Sequence, residues 1–326
     1  MLLPGDAPRP RSSGWKKIFF SLVDLSIIIT PAGIKAESGQ TTGTNTSANY
    51  QPILGGLADY PILSTAKKPL AYSKAYLLMD AQTGEVIASS NKDLVVPVAS
   101  TTKMTTALVA RQVYGLDDVL TVRNGPLVNG SKVGLIQGER ITVESLLKGL
   151  LVPSGNDAAI TLAEGLTGQA GDTAPYVTKM NEFLKAHNLT QTTFADPAGL
   201  DDDNGHSTAF ELANIGRLVL EDPVLSAIVK TPQTTITSVD GAITHQLKNS
   251  NRLLQSDDPS FLPGTLGIKT GYTNEAGHCL VSAYTIQNHV VIGVVLNTNE
   301  STITASATEM HRLFSWAGQY LAYETY

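Results

Sequence analysis

The chain has 326 residues, of which 42% are hydrophobic and 16% are charged, and its formal net charge is -6. This composition is that of an ordinary globular protein and excludes a disordered one, and the length allows one large domain or two small ones. The negative net charge gives no basic surface for a phosphate backbone, and a single cysteine, Cys279, excludes an intrachain disulfide and a cysteine-based zinc site.

The N-terminal segment has the residue order of an export signal. Basic residues up to Lys17 precede an apolar run at 18–30, and a small-residue stretch ends at Ala36. The run is shorter than the roughly 20 residues that span a bilayer, and Asp24 inside it favours cleavage over anchoring. We predict a signal peptide or signal anchor at 1–36, a flexible linker at 37–68 and a folded domain at 69–326. The domain is expected outside the cytoplasm, with membrane attachment only through an uncleaved N-terminal segment.

Apolar periodicity predicts one sheet formed from both ends of the chain, with a helical region inserted between them. Runs at 75–79 and 85–88 flank the turn-forming residues 80–84 and predict a hairpin. A leucine stripe at 143–151 predicts a helix, and Asn156 or Asp157 is expected to cap a second helix that runs to Ala163. Runs at 279–285 and 290–296 predict a second hairpin, whose apolar second strand requires cover on both faces. A final helix at about 302–321 can supply that cover.

A Ser-x-x-Lys pair, Ser100 and Lys103, stands where a helix is predicted to begin. Residues three apart on a helix share a face, so the amine can reach the hydroxyl and accept its proton. A serine needs such a base to become a nucleophile, and a lysine serves only when burial or a second cation lowers its pKa. The spacing alone is weak evidence for a site. It also occurs in Ser13/Lys16, Ser64/Lys67, Ser89/Lys92 and Ser145/Lys148, where a solvated serine and lysine is the simpler interpretation.

Two more triplets follow this pair in the chain. Ser154-Gly155-Asn156 comes directly after the leucine stripe, and taken alone it is a helix-helix loop with an Asn cap. Lys269-Thr270-Gly271 occurs once, on a predicted strand, where glycine would let a ligand approach the backbone closely, and taken alone it is an edge-strand lysine. The three motifs together, in this order on helix, loop and strand, are improbable by chance.

These motifs closely resemble the three signatures of the low-molecular-mass penicillin-binding proteins, the serine-type D-alanyl-D-alanine carboxypeptidases of peptidase family S11. The resemblance runs from about Ala71 to the C-terminus and includes the segments 80–84 and 205–209. It implies the α/β (α+β) fold of the serine β-lactamases and DD-peptidases, an antiparallel sheet flanked by helices with an inserted helical subdomain. The sequence lacks the C-terminal β-domain and amphipathic membrane helix of many members, so attachment by the C-terminus is not expected.

The resemblance also implies catalytic roles, position by position. Ser100 is expected to attack the carbonyl of the penultimate D-alanine in peptidoglycan stem peptides that end in D-Ala-D-Ala. Lys103 is expected to accept the serine proton, and Ser154 to help pass it to the departing D-alanine. β-Lactam antibiotics are expected to acylate the same serine. We assign no cofactor.

Substrate-binding roles follow from the same resemblance. Asn156 is expected to hold the peptide amide, while Lys269 and Thr270, next to Gly271, bind the terminal carboxylate. The backbone N–H groups of Tyr272 and of the nucleophilic serine are the expected oxyanion hole. Lys269 is expected to remain charged, and its charge, together with burial, is expected to lower the pKa of the catalytic lysine.

Three other functions and a metal site are the alternatives to this interpretation. A class A β-lactamase would add a Glu-x-x-Leu-Asn segment between Ser154 and Lys269, which is absent. A non-catalytic peptidoglycan-binding protein would be expected to have lost the nucleophile or its lysine. A DD-endopeptidase uses the same acyl-enzyme and stays an open alternative. A metal site at Asp201-Asp202-Asp203 and His206 is less economical than a solvated loop capped by Ser207 or Thr208, so no metal is assigned.

Overall fold

The computed structural model describes residue 69 and residues 71–298 and 302–321, so the predicted signal and linker lie outside the described residues. The elements in chain order are β1 (Ser73–Asp80), β2 (Val86–Ser90), α1 (Lys103–Val113), β3 (Val119–Thr121), β4 (Arg140–Thr142), α2 (Val143–Leu151), α3 (Asn156–Gly165), α4 (Ala174–Ala186), α5 (Ala209–Glu221), α6 (Pro223–Val229), β5 (Gln233–Thr237), β6 (Thr244–Lys248), β7 (Thr265–Thr273), β8 (Gly277–Ile286), β9 (His289–Thr298) and α7 (Ala305–Leu321).

A five-stranded antiparallel sheet of order β2-β1-β9-β8-β7 joins the two ends of the described chain. The β8–β9 hairpin closes with Ile286 opposite His289, so only two residues form its turn. The antiparallel sheet, both predicted hairpins, the final helix and the helical insertion between β2 and β7 are confirmed. β7 lies at one edge of the sheet and carries the predicted Lys269 motif.

Consecutive residues of a strand point to opposite faces of the sheet. Apolar residues occupy both faces here, and helices cover each of them. Leu78 and Val295 pack with Phe314 of α7 on one face. Leu77 and Val294 belong to a second core, which includes Leu212 of α5 and extends into the helical insertion. Burying such a side chain contributes about 1.5–3 kcal/mol, so these two cores fix the sheet between its helices. The predicted cover of β9 on both faces is confirmed.

The helical insertion places α1, α2 and α3 beside the edge strand. α2 begins as predicted after Thr142, whose hydroxyl accepts a hydrogen bond from Ser145 N at 3.3 Å. The predicted cap of the next helix is wrong, because Gly155 occupies the N-cap position of α3 and caps with no side-chain hydrogen bond. Asn156 and Asp157 instead bind the neighbouring loop. No helix in the described part of the chain combines the length and apolar character needed to cross a bilayer.

Candidate active site

The nucleophile candidate Ser100 lies in a 3-10 turn, Ala99–Thr102, that leads directly into α1. The edge strand β7 approaches this turn at Gly271. A Cβ atom added at Gly271 would lie 2.9 Å from the Val98 carbonyl oxygen and 3.1 Å from Ser100 N. Glycine is therefore required here for the strand to contact the turn, so the backbone that approaches Gly271 is the protein's own. This contact brings the first and third motifs together.

Lys103 is the first residue of α1, and its side chain is fully buried, with 0% exposure. Its Nζ donates to Ser100 Oγ at 2.7 Å and to the Ala198 carbonyl oxygen at 2.5 Å. Burial lowers the pKa of the Lys103 amine to about 7, against the negative charges of Asp196 and Asp157, which raise it. A large fraction of the amine is therefore neutral near pH 7 and can accept the serine proton.

The Ala198 carbonyl that contacts Lys103 is held by a short loop folded around Asp196. The carboxylate of Asp196 accepts hydrogen bonds from the backbone N–H groups of Ala198, Gly199 and Leu200 at 2.6, 2.9 and 2.9 Å. These bonds fix the loop residues that line the site beside Ser100. Asp196 thus positions a hydrogen-bond acceptor of Lys103, and its negative charge raises the pKa of this lysine.

The second motif forms the opposite wall of the site. Ser154 has a φ of 68°, a left-handed conformation that non-glycine residues seldom adopt, and its side chain is buried at the cavity surface. Asn156 donates from Nδ2 to the Asn129 carbonyl oxygen at 2.6 Å, while its buried Oδ1 has no hydrogen-bond partner among the described residues. An unpaired buried acceptor is costly, so this oxygen is available to a donor on a ligand.

Asp157, the residue after this motif, holds the loop on the same wall. Its fully buried carboxylate accepts hydrogen bonds from the N–H groups of Val133, Gly134 and Leu135 at 2.9, 2.8 and 3.0 Å. The adjacent Asn156 N donates to the Ser131 carbonyl oxygen at 2.8 Å. The second motif is therefore anchored to residues 131–135, of which Ser131 faces the cavity.

The third motif divides between two environments. Lys269 is 1% exposed, and its Nζ donates to the Thr270 carbonyl oxygen at 2.8 Å. Burial, and after it the charge of Lys103, lower the pKa of Lys269 well below its ordinary value. Burial is the largest cause of the lowered pKa for both Lys269 and Lys103, and the predicted charge of Lys269 stays a prediction. Thr270 faces the cavity, where its Oγ1 lies 2.6 Å from Ser250 Oγ.

One cavity of about 980 Å³ connects the motifs. Tyr272 stands at its rim with 58% of its surface exposed and stacks on His278 at a ring-centroid distance of 4.5 Å. The predicted site residues on its lining are Ser100, Ser154, Asn156, Thr270, Gly271 and Tyr272. Lys103 and Lys269 lie directly behind this surface. The structure therefore brings all eight predicted site residues to one place.

Sequence reasoning missed several residues of the site. They are Asp196, Ser250, Arg252 and Asp258, of which the last three line the cavity. Ser250 lies between two asparagines, Asn249 and Asn251, whose side chains bind backbone groups, and this Asn-x-Asn pattern is the only signal that could have pointed to a fixed loop. The Asp-rich segment is a local turn in which Asp202 accepts from Asn204 N at 2.8 Å. The described residues contain no group of three or more His, Cys, Asp or Glu arranged to hold a metal ion.

The sequence of this chain is similar to those of known D-alanyl-D-alanine peptidases. A family model described as D-alanyl-D-alanine carboxypeptidase matches residues 63–300. The D-alanyl-D-alanine carboxypeptidase DacF of Bacillus subtilis is 31% identical over 70% of this chain, and the match spans only 58% of the length of DacF. The D-alanyl-D-alanine endopeptidase of Pseudomonas aeruginosa is 35% identical over 74% of this chain and 76% of its own.

The solved structure of the Streptomyces K15 DD-transpeptidase is similar to most of this chain. It matches with a TM-score of 0.70 and 30% sequence identity, over 77% of this chain and 98% of the transpeptidase. The likeness supports the mixed α/β architecture of an antiparallel sheet flanked by helices.

Proposed function

Because the chain belongs to the D-alanyl-D-alanine carboxypeptidase family, we propose that it is a serine D-Ala-D-Ala carboxypeptidase that removes the terminal D-alanine from peptidoglycan stem peptides. The observation that carries the proposal is the buried Lys103 amine, whose pKa is lowered to about 7 and whose Nζ lies 2.7 Å from Ser100 Oγ. A neutral amine at this distance is the base that a serine nucleophile needs.

The proposed reaction begins when Ser100 Oγ attacks the carbonyl carbon of the penultimate D-alanine. Its proton moves to the neutral Lys103 Nζ, and the backbone N–H groups of Ser100 and Tyr272 stabilise the oxyanion. The C–N bond then breaks, and the proton passes from Lys103, with the help of Ser154, to the nitrogen of the departing D-alanine. Water then attacks the ester carbonyl while Lys103 accepts its proton, the bond to Ser100 Oγ breaks, and Lys103 returns the proton to Ser100 Oγ, which releases the shortened peptide and restores the free enzyme.

Substrate binding is assigned to the two walls of the cavity. The unpartnered Oδ1 of Asn156 is placed to accept a peptide N–H of the substrate. The Thr270 hydroxyl, on the opposite wall, is placed to donate to the terminal carboxylate, and Gly271 keeps the strand against the Ser100 turn. Lys269 lies behind Thr270 and supports it through the hydrogen bond to the Thr270 carbonyl oxygen.

The same site is proposed to react with β-lactam antibiotics, and we expect the covalent adduct on Ser100. Of the described Ser-x-x-Lys serines, Ser100 is the one within hydrogen-bond distance of its lysine: Ser145 bonds to Thr142, and Lys148 pairs with Glu144. Incubation with a labelled penicillin followed by peptide mass mapping measures the position. An adduct on Ser64 or Ser145 contradicts the assignment, and rapid release of hydrolysed penicillin favours a β-lactamase.

Carboxypeptidase and endopeptidase action are separated by substrate, because both pass through the acyl-enzyme on Ser100. The similarity to an endopeptidase at 35% identity keeps that second function in view. Assays on a stem pentapeptide and on a cross-linked peptide dimer compare kcat/KM for the two cleavages. The proposal expects the pentapeptide to be preferred, and preference for the dimer would assign the endopeptidase function.

The proposed location is outside the cytoplasm, where peptidoglycan lies. It rests on the order of basic, apolar and small residues that precedes Glu37. Sequencing the N-terminus of the mature protein tests it: a start near Glu37 indicates a cleaved signal, and an intact Met1 with membrane retention makes 18–30 an anchor.

A further inference from the structure

The sequence contains three Asn-Gly pairs, which begin at Asn124, Asn129 and Asn204. An asparagine that precedes glycine can modify itself, because glycine has no Cβ to hinder attack of its backbone nitrogen on the side-chain amide of the asparagine. The reaction requires an amide that can turn toward this nitrogen and a nitrogen that is not engaged in a hydrogen bond. The three pairs differ in these two requirements.

The first and third pairs are protected by their surroundings. In the first pair Gly125 is buried, and a Cβ atom added there would lie 2.6 Å from the Asp157 carbonyl oxygen, so close packing opposes the movement that ring closure requires. In the third pair both reacting groups are engaged. Asn204 Nδ2 donates to Asp202 Oδ1 at 3.1 Å, and Gly205 N donates to the Asp202 carbonyl oxygen at 3.0 Å.

The second pair lacks this protection and lies beside the active site. Asn129 and Gly130 are both exposed, and Gly130 has a φ of 85°, which glycine adopts without strain. Within the part of the chain that the structure describes, neither the Asn129 side-chain amide nor Gly130 N forms a hydrogen bond. The Asn129 carbonyl oxygen accepts from Asn156 Nδ2 at 2.6 Å, and Gly130 lines the cavity. Both reacting groups are therefore free, while the main chain between them contacts the second motif.

We propose that Asn129 is a self-modification site in the wall of the active site, where slow deamidation inactivates the protein. Gly130 N attacks Asn129 Cγ and forms a C–N bond, and its proton leaves with the side-chain amide as ammonia, which gives a cyclic imide. Water then opens the imide. Cleavage of the bond to Cγ gives aspartate, and cleavage of the bond to the main-chain carbonyl carbon gives isoaspartate. The net change replaces an amide NH₂ with OH, and water is the only co-reactant.

Isoaspartate at this position disturbs the residue that is assigned to substrate binding. The main chain then runs through Cγ, and the carbonyl that accepted from Asn156 Nδ2 becomes a free carboxylate outside the main chain. The longer main chain also displaces Ser131, whose carbonyl oxygen accepts from Asn156 N at 2.8 Å. Asn156 thereby loses both partners that fix its position opposite Ser100. This loss of activity rests on the proposed function, whereas the modification itself does not.

The test incubates the folded protein at mildly alkaline pH, which favours loss of the glycine N–H proton, and follows the three pairs by peptide mapping. We expect Asn129 to be converted first, while Asn124 and Asn204 remain asparagine over the same period. The kcat/KM for a stem pentapeptide should fall in proportion to the isoaspartate formed. Fully converted protein should be about tenfold less active, the loss expected for one hydrogen bond. In the denatured protein the three pairs should be converted at comparable rates, because the fold no longer protects two of them.

Three variants separate the modification from other causes of inactivation. Asn129→Gln keeps the main-chain carbonyl and closes a larger ring only slowly, so its initial kcat/KM should be within about twofold of the parent and should persist during incubation. Asn129→Asp adds the exposed charge without altering the main chain and should also stay within about twofold. Asn204→Gln is the matched control at a protected pair, and it should lose activity as fast as the parent protein.

The outcomes distinguish the modification from its effect and from the proposed function. If Asn124 or Asn204 is converted as fast as Asn129 in the folded protein, or if Asn129 stays intact while the denatured protein is converted, the modification site is overturned. If Asn129 is converted to isoaspartate and kcat/KM does not change, the coupling to Asn156 is overturned. A freshly prepared protein that hydrolyses no stem peptide yet is converted at Asn129 supports the modification and contradicts the proposed function.

Discussion

Lys103→Ala is expected to slow acylation of Ser100 by peptide and by penicillin by about 10²- to 10⁴-fold, the usual contribution of a general base. No other described side chain donates a hydrogen bond to Ser100 Oγ. Lys103→Arg should be as inactive as Lys103→Ala, because a guanidinium keeps its proton near neutral pH and cannot act as a base. Intact-protein mass spectrometry over time measures the acylation rate, and thermal unfolding checks that each variant is folded.

The pH dependence of the parent protein tests the same assignment independently. The active form of Lys103 is the neutral amine, and its pKa is lowered to about 7, so acylation should be slow in acid. The rate should rise with pH, reach half its maximum near pH 7 and become constant above about pH 8. A rate that does not change between pH 6 and 8, or a Lys103→Ala protein that acylates at the parent rate, would contradict the role of Lys103 as base.

The sequence predicted the elements whose pattern is long and periodic. The β8–β9 hairpin and α2 have apolar runs or stripes of seven residues or more, and they appear with bounds close to those predicted. β3 and β4 were not predicted, because a strand of three residues is too short to show an alternating apolar pattern. The predicted cap of α3 was wrong for another reason. Asn156 and Asp157 bind residues more than 20 positions away, and these tertiary hydrogen bonds replace the local cap.

Much of the candidate site was predictable, because helical spacing alone sets Lys103 within reach of Ser100. The lowered pKa of Lys103 was also predicted, and burial is its cause. The lowered pKa of Lys269 was not predicted, since the pKa of a lysine follows its burial and burial depends on the complete fold. Arg252 and Asp258 carried no signal in the sequence. They are six residues apart on an irregular segment, and only the 3-10 turn and the cavity give their ion pair a position relative to Thr270.

Asp157→Ala is expected to lower the free energy of unfolding by about 3–5 kcal/mol, because it removes the acceptor of three buried loop N–H groups and of Ala158 N. At about 2–4 °C per kcal/mol for a domain of this size, the loss corresponds to roughly 10 °C in Tm. Residues 131–135 should detach from the second motif, so that hydrogen exchange of their amides increases. Thermal unfolding and hydrogen exchange measure the two effects.

Asp157→Asn separates the charge of this residue from its hydrogen bonds. The negative charge of Asp157 raises the pKa of Lys103, so its removal should lower that pKa and move the midpoint of the acylation profile to lower pH. Glu164→Gln is the matched control, since Glu164 is also fully buried on α3 and accepts from Asn124 N and Gly171 N, but does not act on Lys103. Both variants should lose stability, yet only Asp157→Asn should move the midpoint. If the midpoint stays in place or moves to higher pH in Asp157→Asn, the charge of Asp157 does not act on Lys103, and burial and Asp196 set the pKa of this lysine.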